Sequence, residues 1–453
     1  MIIAISAGHN TSKKKENKIR QHIRYLNYGL LGLSTLLRHQ GNMEIMMFQA
    51  DYQSPVGIFK TIEASGIDIM HQCECFLLSV PSYYSISWAE EFSHMARVVY
   101  QKDVVVGGRW VVDSCKDWIS LHIPSATTYI DGFGERKLAQ YFEIPNWNTV
   151  PDGSTQCFDY LDYTILYEYQ QYQPCIEISR GCGAGCSFCA DKGFRRLPNK
   201  PVSIVLHELE NLDRVYGDYS VYFEAPHFVF EREWINQLCR LMMVRQTPHA
   251  WRCTSRVESV PLDLLSQMHN AGLAILDIGL ESASKRQLIR MGKTNNPERY
   301  LEKADKLLKA CDENGIWVKF NLLLYAGETY ETVSETIDWL SARKSLIKDV
   351  SVSSLIYYRD AETADEYLRF GASIPPDIHV DDYGYVDMNL SPEIDNHTAQ
   401  SISLQIPKLF ANQKDFYDVK SISYFERGYT YSQFLEDLRF CNAEDLPFTI
   451  ETT

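Results

Sequence analysis

Three cysteines carry the clearest chemical signal in this chain. Cys182, Cys186 and Cys189 stand in SRGCGAGCSFCADKG with CxxxCxxC spacing, while the rest of the 12 cysteines are scattered. Random placement of that many cysteines gives the pattern in only ~1 % of such chains. Gly181, Gly183, Ala184 and Gly185 lie between and beside them, and such small residues let a backbone fold closely around a bulky inorganic group. Thiolates select zinc or iron–sulfur clusters. A structural zinc site closes with four ligands, and the nearest further candidate, Cys175, reads as a core residue of a strand. Three thiolates on a four-iron cluster leave one iron open for a substrate or cofactor. Three unmetallated thiols in a glycine-rich turn are the plain alternative.

Other residues able to do chemistry recur downstream, each at the end of an apolar run. Glu224 closes VYFEAPHF, with His227 three residues on and read as structural. Arg256 ends WRCTSR, where a guanidinium could fork onto a carboxylate. Glu281 ends LDIGLE, where a carboxylate could hold hydroxyls. Gly327 follows LLLYA, and Tyr325, Tyr357 and Tyr358 could line a cavity or simply pack.

The elements that must position these residues form two series. Over 1–145, strand candidates at Ile2–Ser6, Met43–Gln49, Cys75–Val80, Asp103–Val106 and Thr127–Ile130 alternate with helical periodicity, clearest over Ile23–His39 and Trp88–Tyr100. That alternation predicts a Rossmann-like, doubly wound parallel sheet. A Pro/Asn-rich stretch, IPNWNTVPDG, opens a linker over 146–174. Six further strand candidates follow in 175–372: Cys175–Ser179, Tyr219–Glu224, His249–Thr254, Ile275–Leu280, Trp317–Leu324 and Val350–Tyr357. They predict a partial (β/α)6 TIM-type barrel whose chemistry sits at the strands' C-terminal ends. The fold class is therefore α/β throughout, with residues 373–453 a small Tyr-rich C-terminal segment of weak periodicity.

The segment EISRGCGAGCSFCADKG resembles the cluster loop of the radical S-adenosylmethionine (SAM) superfamily, whose CxxxCx(aromatic)C fingerprint is completed by Phe188. The resemblance implies a 4Fe–4S cluster on Cys182, Cys186 and Cys189. Its open iron would chelate SAM, and reductive cleavage would yield a 5′-deoxyadenosyl radical that abstracts hydrogen from a substrate. It also implies SAM contacts at Phe188, at Glu224 near the amino group, at Arg256 on the carboxylate, at Glu281 on the ribose and at Gly327 beside the adenine. GLESASKRQLIRMGK is similar to the family's sequence around its ribose-binding carboxylate. Ala326 stands where relatives carry Pro, and YYRDAET where they carry Pro-Gly-Thr. Tyr325 and Tyr357 are the substrate candidates.

A Rossmann-like domain followed by a linker and a cluster barrel resembles the cobalamin-dependent branch of that superfamily. Cobalamin would then contact Ser79 and Ser82 (LLSVPS) and the Gly107-Gly108 turn of VVVGGRW, although an Asp-x-His-x-x-Gly signature is absent and His9 is not read as a ligand. The branch implies a methyltransferase acting on an unactivated centre of a small-molecule or peptide substrate in specialised biosynthesis, served by a flavodoxin- or ferredoxin-like reductant. Two alternatives stay open. One is a cobalamin-free radical enzyme for epimerisation, cyclisation, rearrangement or cross-linking; the other is a non-catalytic iron–sulfur redox or electron-transfer protein.

Bulk properties limit the partners. The 453 residues include 44 basic and 59 acidic side chains, a net charge of −15, with 45 % hydrophobic and 23 % charged residues. That is an ordinary globular composition. It lacks the basic footprint a duplex-binding protein needs, so no nucleic-acid partner is expected. No apolar run approaches the ~18 residues that span a bilayer, and Met1–Ser6 is too short for a signal-peptide core. The expected location is the cytoplasm, away from membranes, where thiols stay reduced.

Overall fold

The computed structural model describes residues 1–9, 17–111, 116–145, 153, 160–189, 192–228, 230–245, 250–359 and 364–450. They divide into two compact units: Met1–Tyr172 with His207–Gly217, and Gln173–Leu206 with Asp218–Thr453.

The first unit is built on five short parallel strands, β1 (Ile2–Ser6), β2 (Ile45–Gln49), β3 (Cys75–Ser79), β4 (Asp103–Gly107) and β5 (Thr128–Tyr129), in the order β2-β1-β3-β4-β5. Strands covered on both faces need apolar side chains in both directions. IIAIS in β1 and CFLLS in β3 are buried at every position. The first helix runs Tyr28–Gln40, starting later than its periodicity predicts because the Asn27 side chain accepts from the Leu30 N–H and sets the N-terminus there.

The expected linker corresponds only in part to a linker. Leu161, Tyr163, Ile165 and Leu166 are buried, Leu166 bridges Met47 of β2, and the Tyr167 ring stacks on Phe48 at 5.0 Å. These apolar anchors bring 160–172 into the first unit. The stretch from 146 to 152 and from 154 to 159 lies outside the described residues.

The second unit holds six parallel strands in strict sequence order: β6 (Cys175–Glu177), β7 (Val221–Glu224), β8 (Trp251–Ser255), β9 (Leu273–Glu281), β10 (Trp317–Leu324) and β11 (Asp349–Ser354). No pairing joins β6 to β11 among the described residues, so this is an open, partial barrel. The last strand ends earlier than the apolar run predicts. Ile356–Tyr358 (β12) leaves the sheet and pairs antiparallel with Tyr385–Asp387 (β13). Tyr357 therefore sits on a separate two-stranded ribbon. Residues 373–453 share the barrel's compact unit, with helix Asn396–Lys408 packed along β11.

Candidate active site at the strand ends of the partial barrel

The cysteine loop leaves β6 and is drawn across the C-terminal ends of the neighbouring strands. Gly181 and Gly183 adopt φ of +71° and +72°, a region side chains enter only with strain. A Cβ on Gly181 would collide with the Arg195 carbonyl oxygen, and the Gly183 N–H donates to the Phe194 oxygen at 3.1 Å. These contacts double the loop back on itself. Beyond the turn, the Ser187 N–H donates to the Met291 oxygen at 2.9 Å. The Phe188 ring meets Tyr325 edge-on at 6.3 Å, and the Arg256 Nη1 donates to Cys186 Sγ at 3.2 Å. Segments after β8, β9 and β10 thus each hold one point of the loop.

The cysteines differ in setting. Cys186 is buried, whereas Cys182 and Cys189 are half-buried. A Cβ at Gly185 would meet nothing within 4 Å, so the loop carries open space beside its middle thiol. Among the described residues no group of three or more His, Cys, Asp or Glu side chains is arranged to hold a metal ion. A single zinc ion would need its sulfurs drawn to ~2.3 Å from one point; ligands on separate irons of a cluster do not converge that way. Three thiols on one loop, with room beside them, suit the cluster.

Around the loop the strand ends supply a polar ring. Glu281 has φ +68° and accepts from Lys293 Nζ at 2.9 Å, while the Lys293 carbonyl accepts from Arg256 Nη2 at 3.1 Å. Cys186, Arg256, Lys293 and Glu281 therefore form one connected chain. His227 Nε2 lies 2.7 Å from Ser259 Oγ, and burial, reinforced by the Arg256 charge, pushes its imidazole down to about 4. Glu224 faces inward next to Glu177 in register. Burial, with Asp277 and Glu177 nearby, pushes its carboxyl up to about 8. The Glu177 carboxylate is satisfied by Arg180, Nε to Oε1 at 2.8 Å and Nη2 to Oε2 at 2.9 Å. Glu224 has no ion-pair partner among the described residues.

Residues 176–340 match the family model described as the radical SAM superfamily. The chain carries a radical SAM domain. Among curated proteins it is 25% identical over 229 residues to ribosomal protein uS12 methylthiotransferase RimO of Methylorubrum populi, a match covering 45% of this chain and 47% of the relative. It is 23% identical over 307 residues to 4'-phospho-dehydrooxetanocin synthase of Priestia megaterium, covering 61% and 39%. The chain spans about half the length, or less, of these curated relatives. Among solved structures it resembles the radical S-adenosylmethionine methyltransferase TsrM of Kitasatospora setae, with TM-score 0.67, 15% identity and coverage of 92% of this chain and 90% of that one. It also resembles the cobalamin-dependent S-adenosylmethionine radical enzyme OxsB, with TM-score 0.57, 17% identity and coverage of 82% and 55%. At such identities the likeness is one of fold.

Within the radical SAM domain some expected positions have other occupations. The Gly327 N–H donates to the Leu390 oxygen at 2.7 Å and its carbonyl accepts from Arg290 Nη1 at 2.6 Å. Its φ of +75° makes it the turn after β10, and its N–H is not available to a base. Tyr325 is fully buried among Phe188, Tyr367 and Phe370, where it packs against the loop. Tyr357 lies on the β12–β13 ribbon, because the barrel strand ends at Ser354. Lys293 carries no signal of its own in the sequence, although GLESASKRQLIRMGK ends on it, because only the fold returns residue 293 to residues 256 and 281. His227, expected to be structural, places Nε2 2.7 Å from Ser259 Oγ.

The four positions expected to meet cobalamin lie at the C-terminal edge of the first sheet. Ser79 Oγ accepts from Asn27 Nδ2 at 3.0 Å, as does Ser6 Oγ. Ser82 Oγ accepts from the Tyr84 N–H at 3.3 Å and caps a short turn. Gly108 has φ +123°, and a Cβ there would lie 2.5 Å from the Val80 oxygen. Gly107 ends β4, where a Cβ would lie 3.3 Å from the Ile130 oxygen. Open α/β sheets bind ligands outside this edge, at the point where strand order reverses; here that is between β1 and β3.

Proposed function

We propose that this chain is a radical SAM enzyme that reductively cleaves S-adenosylmethionine at a 4Fe–4S cluster, and that it methylates an unactivated centre of a small-molecule or peptide substrate with the help of cobalamin. One observation carries the first part: within a radical SAM domain, the Cys182–Cys186–Cys189 loop is pinned over the ends of β8, β9 and β10. When bound, the cluster supplies the electron that cleaves the sulfonium, and cobalamin supplies a methyl carrier. The protein's share is to present three thiolates from one loop, to keep a charged ring of Arg256, Lys293 and Glu281 beside them, and to keep Glu224 protonated at neutral pH. Support for cobalamin is the β2-β1-β3-β4-β5 order of the first unit and its likeness in fold to TsrM, described with cobalamin and a cluster bound. A one-electron carrier of the flavodoxin or ferredoxin class is the reducing partner, and the reducing cytoplasm is the location that suits free thiols. No described helix is long and apolar enough to cross a membrane.

One observation favours the cobalamin-free reading. Ser79 is tied to Asn27, and Gly108 is required by its approach to Val80, so packing alone accounts for both. The test is protein purified after expression with cobalamin and reconstituted with iron and sulfide. Corrin absorption bands with both 5′-deoxyadenosine and S-adenosylhomocysteine as products are expected; 5′-deoxyadenosine without corrin bands would leave radical chemistry and remove methyl transfer. Replacing Cys182, Cys186 or Cys189 by Ala should abolish the cluster's absorbance, whereas Cys175→Ala should keep it.

A further inference from the structure

Arg256 was expected to fork onto the carboxylate of SAM. The structure gives its donors other work. Arg256 follows β8 directly and opens the turn Val257–Ser259, which the His227–Ser259 contact holds in place. From there Nη1 reaches Cys186 Sγ at 3.2 Å, Nη2 reaches the Lys293 carbonyl at 3.1 Å, and Nε faces Glu258 Oε2 at 3.8 Å. Both terminal nitrogens donate, and Nε stands at ion-pair distance from Glu258. One edge holds a ligand sulfur and the other an anchor on the turn after helix Lys285–Arg290.

Resting on the cluster assignment above, we propose that Arg256 is a positioning residue for electron entry: through Cys186 Sγ it raises the reduction potential of the cluster, and it does not bind the SAM carboxylate. Reduction adds one negative charge, which spreads over the cluster and its ligand sulfurs. A guanidinium donating to one of those sulfurs stabilises the reduced state more than the oxidised state. Hydrogen bonds to the sulfurs, net charge and solvent exposure are the levers that set such potentials. The electron comes from the one-electron carrier, and no bond is made or broken at Arg256. Loop placement has its own tie, Ser187 N–H to Met291 O at 2.9 Å, so losing the guanidinium should leave the loop seated.

The test is a mediator-based redox titration of reconstituted protein without SAM, for the parent, Arg256→Gln and Arg256→Lys. Iron content and SAM binding are measured alongside. Arg256→Gln should move the midpoint to more negative values by ~59 mV, a tenfold change in the reduced-to-oxidised ratio for a one-electron couple. Arg256→Lys, which keeps the charge and loses the fork, should move it less, and SAM binding should stay as in the parent. An unmoved midpoint with weakened SAM binding would return Arg256 to the carboxylate and overturn the assignment. If Arg256→Gln fails to hold iron, the lysine variant decides: iron with a negative shift supports the proposal, whereas iron lost from both, with circular dichroism unchanged, makes Arg256 a loop anchor and overturns it. A parent that takes up no cluster sinks the cluster reading as well; a parent with a cluster and unmoved variants sinks only Arg256.

Discussion

Glu224 and Glu328 show how burial sets protonation inside this barrel. Glu328, after β10, accepts from the Thr332 hydroxyl and from the Tyr325 N–H, yet burial pushes its carboxyl up to about 7, and Glu224 reaches about 8. Both groups hold a proton in the folded chain at pH values where the unfolded chain, with carboxyls near 4.5, has lost it. The unfolded state then binds fewer protons than the folded state, and stability falls with rising pH. The stability these groups confer is full below the unfolded value and is lost as pH climbs through 7 and 8. Glu224→Gln keeps the shape and removes the ionisation. Urea unfolding should therefore find Glu224→Gln gaining on the parent between about pH 5 and about pH 8.5. An equal difference at both pH values would mean that Glu224 is already ionised in the folded protein.

At the scale of elements, the cysteine loop depends on one backbone position more than on its neighbours. Gly181 combines φ +71° with a side-chain direction closed off by the Arg195 carbonyl and the Phe194 ring. Gly181→Ala should cost about 1–3 kcal/mol of local strain and lower the iron retained after reconstitution, with the far-ultraviolet circular dichroism unchanged. Full iron retention would show that the loop has another way to fold. Much at this scale was legible in the chain. CxxxCxxC marked the loop, and runs such as IIAIS and LDIGLE marked strands, because parallel strands buried on both faces write continuous apolar stretches. The early end of β11 was not legible. SLIYY reads as unbroken β sequence whether Ile356–Tyr358 pairs with β10 or with Tyr385–Asp387. Nor was the contact of Lys293 with Glu281, 12 residues apart, since only the turn after a helix returns one to the other.

For the whole second unit, the question is whether residues 373–453 are an appendage or part of the barrel. The interior argues for the second. Arg252, fully buried on β8, pairs with Asp277 on β9 through Nε–Oδ2 at 2.5 Å and Nη2–Oδ1 at 2.7 Å, and Lys319 on β10 stands 3.4 Å from Asp277. Arg252 Nη1 donates to the carbonyl of Val419 at 2.7 Å, and its guanidinium lies 5.0 Å from the centre of the Tyr424 ring. The C-terminal segment therefore supplies both an acceptor and an aromatic face to a charge that water cannot reach. Its role was illegible in the sequence because the contact needs one carbonyl and one ring, neither of which makes a periodic pattern. Arg252→Met removes one member of a buried pair and should destabilise the unit by about 3–5 kcal/mol. Tyr424 lies outside every strand, yet Tyr424→Ala strips the ring from the Arg252 guanidinium and should cost about 2 kcal/mol for that desolvated cation–π contact. Combining the two should cost less than their sum, since without Arg252 the ring keeps only the Lys420 ammonium, 4.7 Å from its centre, to cover. Urea unfolding of the two single variants and the double variant measures that coupling. Strict additivity would mean that Tyr424 merely packs against the barrel, and a Tyr424→Ala protein as stable as its parent would make the C-terminal segment an appendage after all.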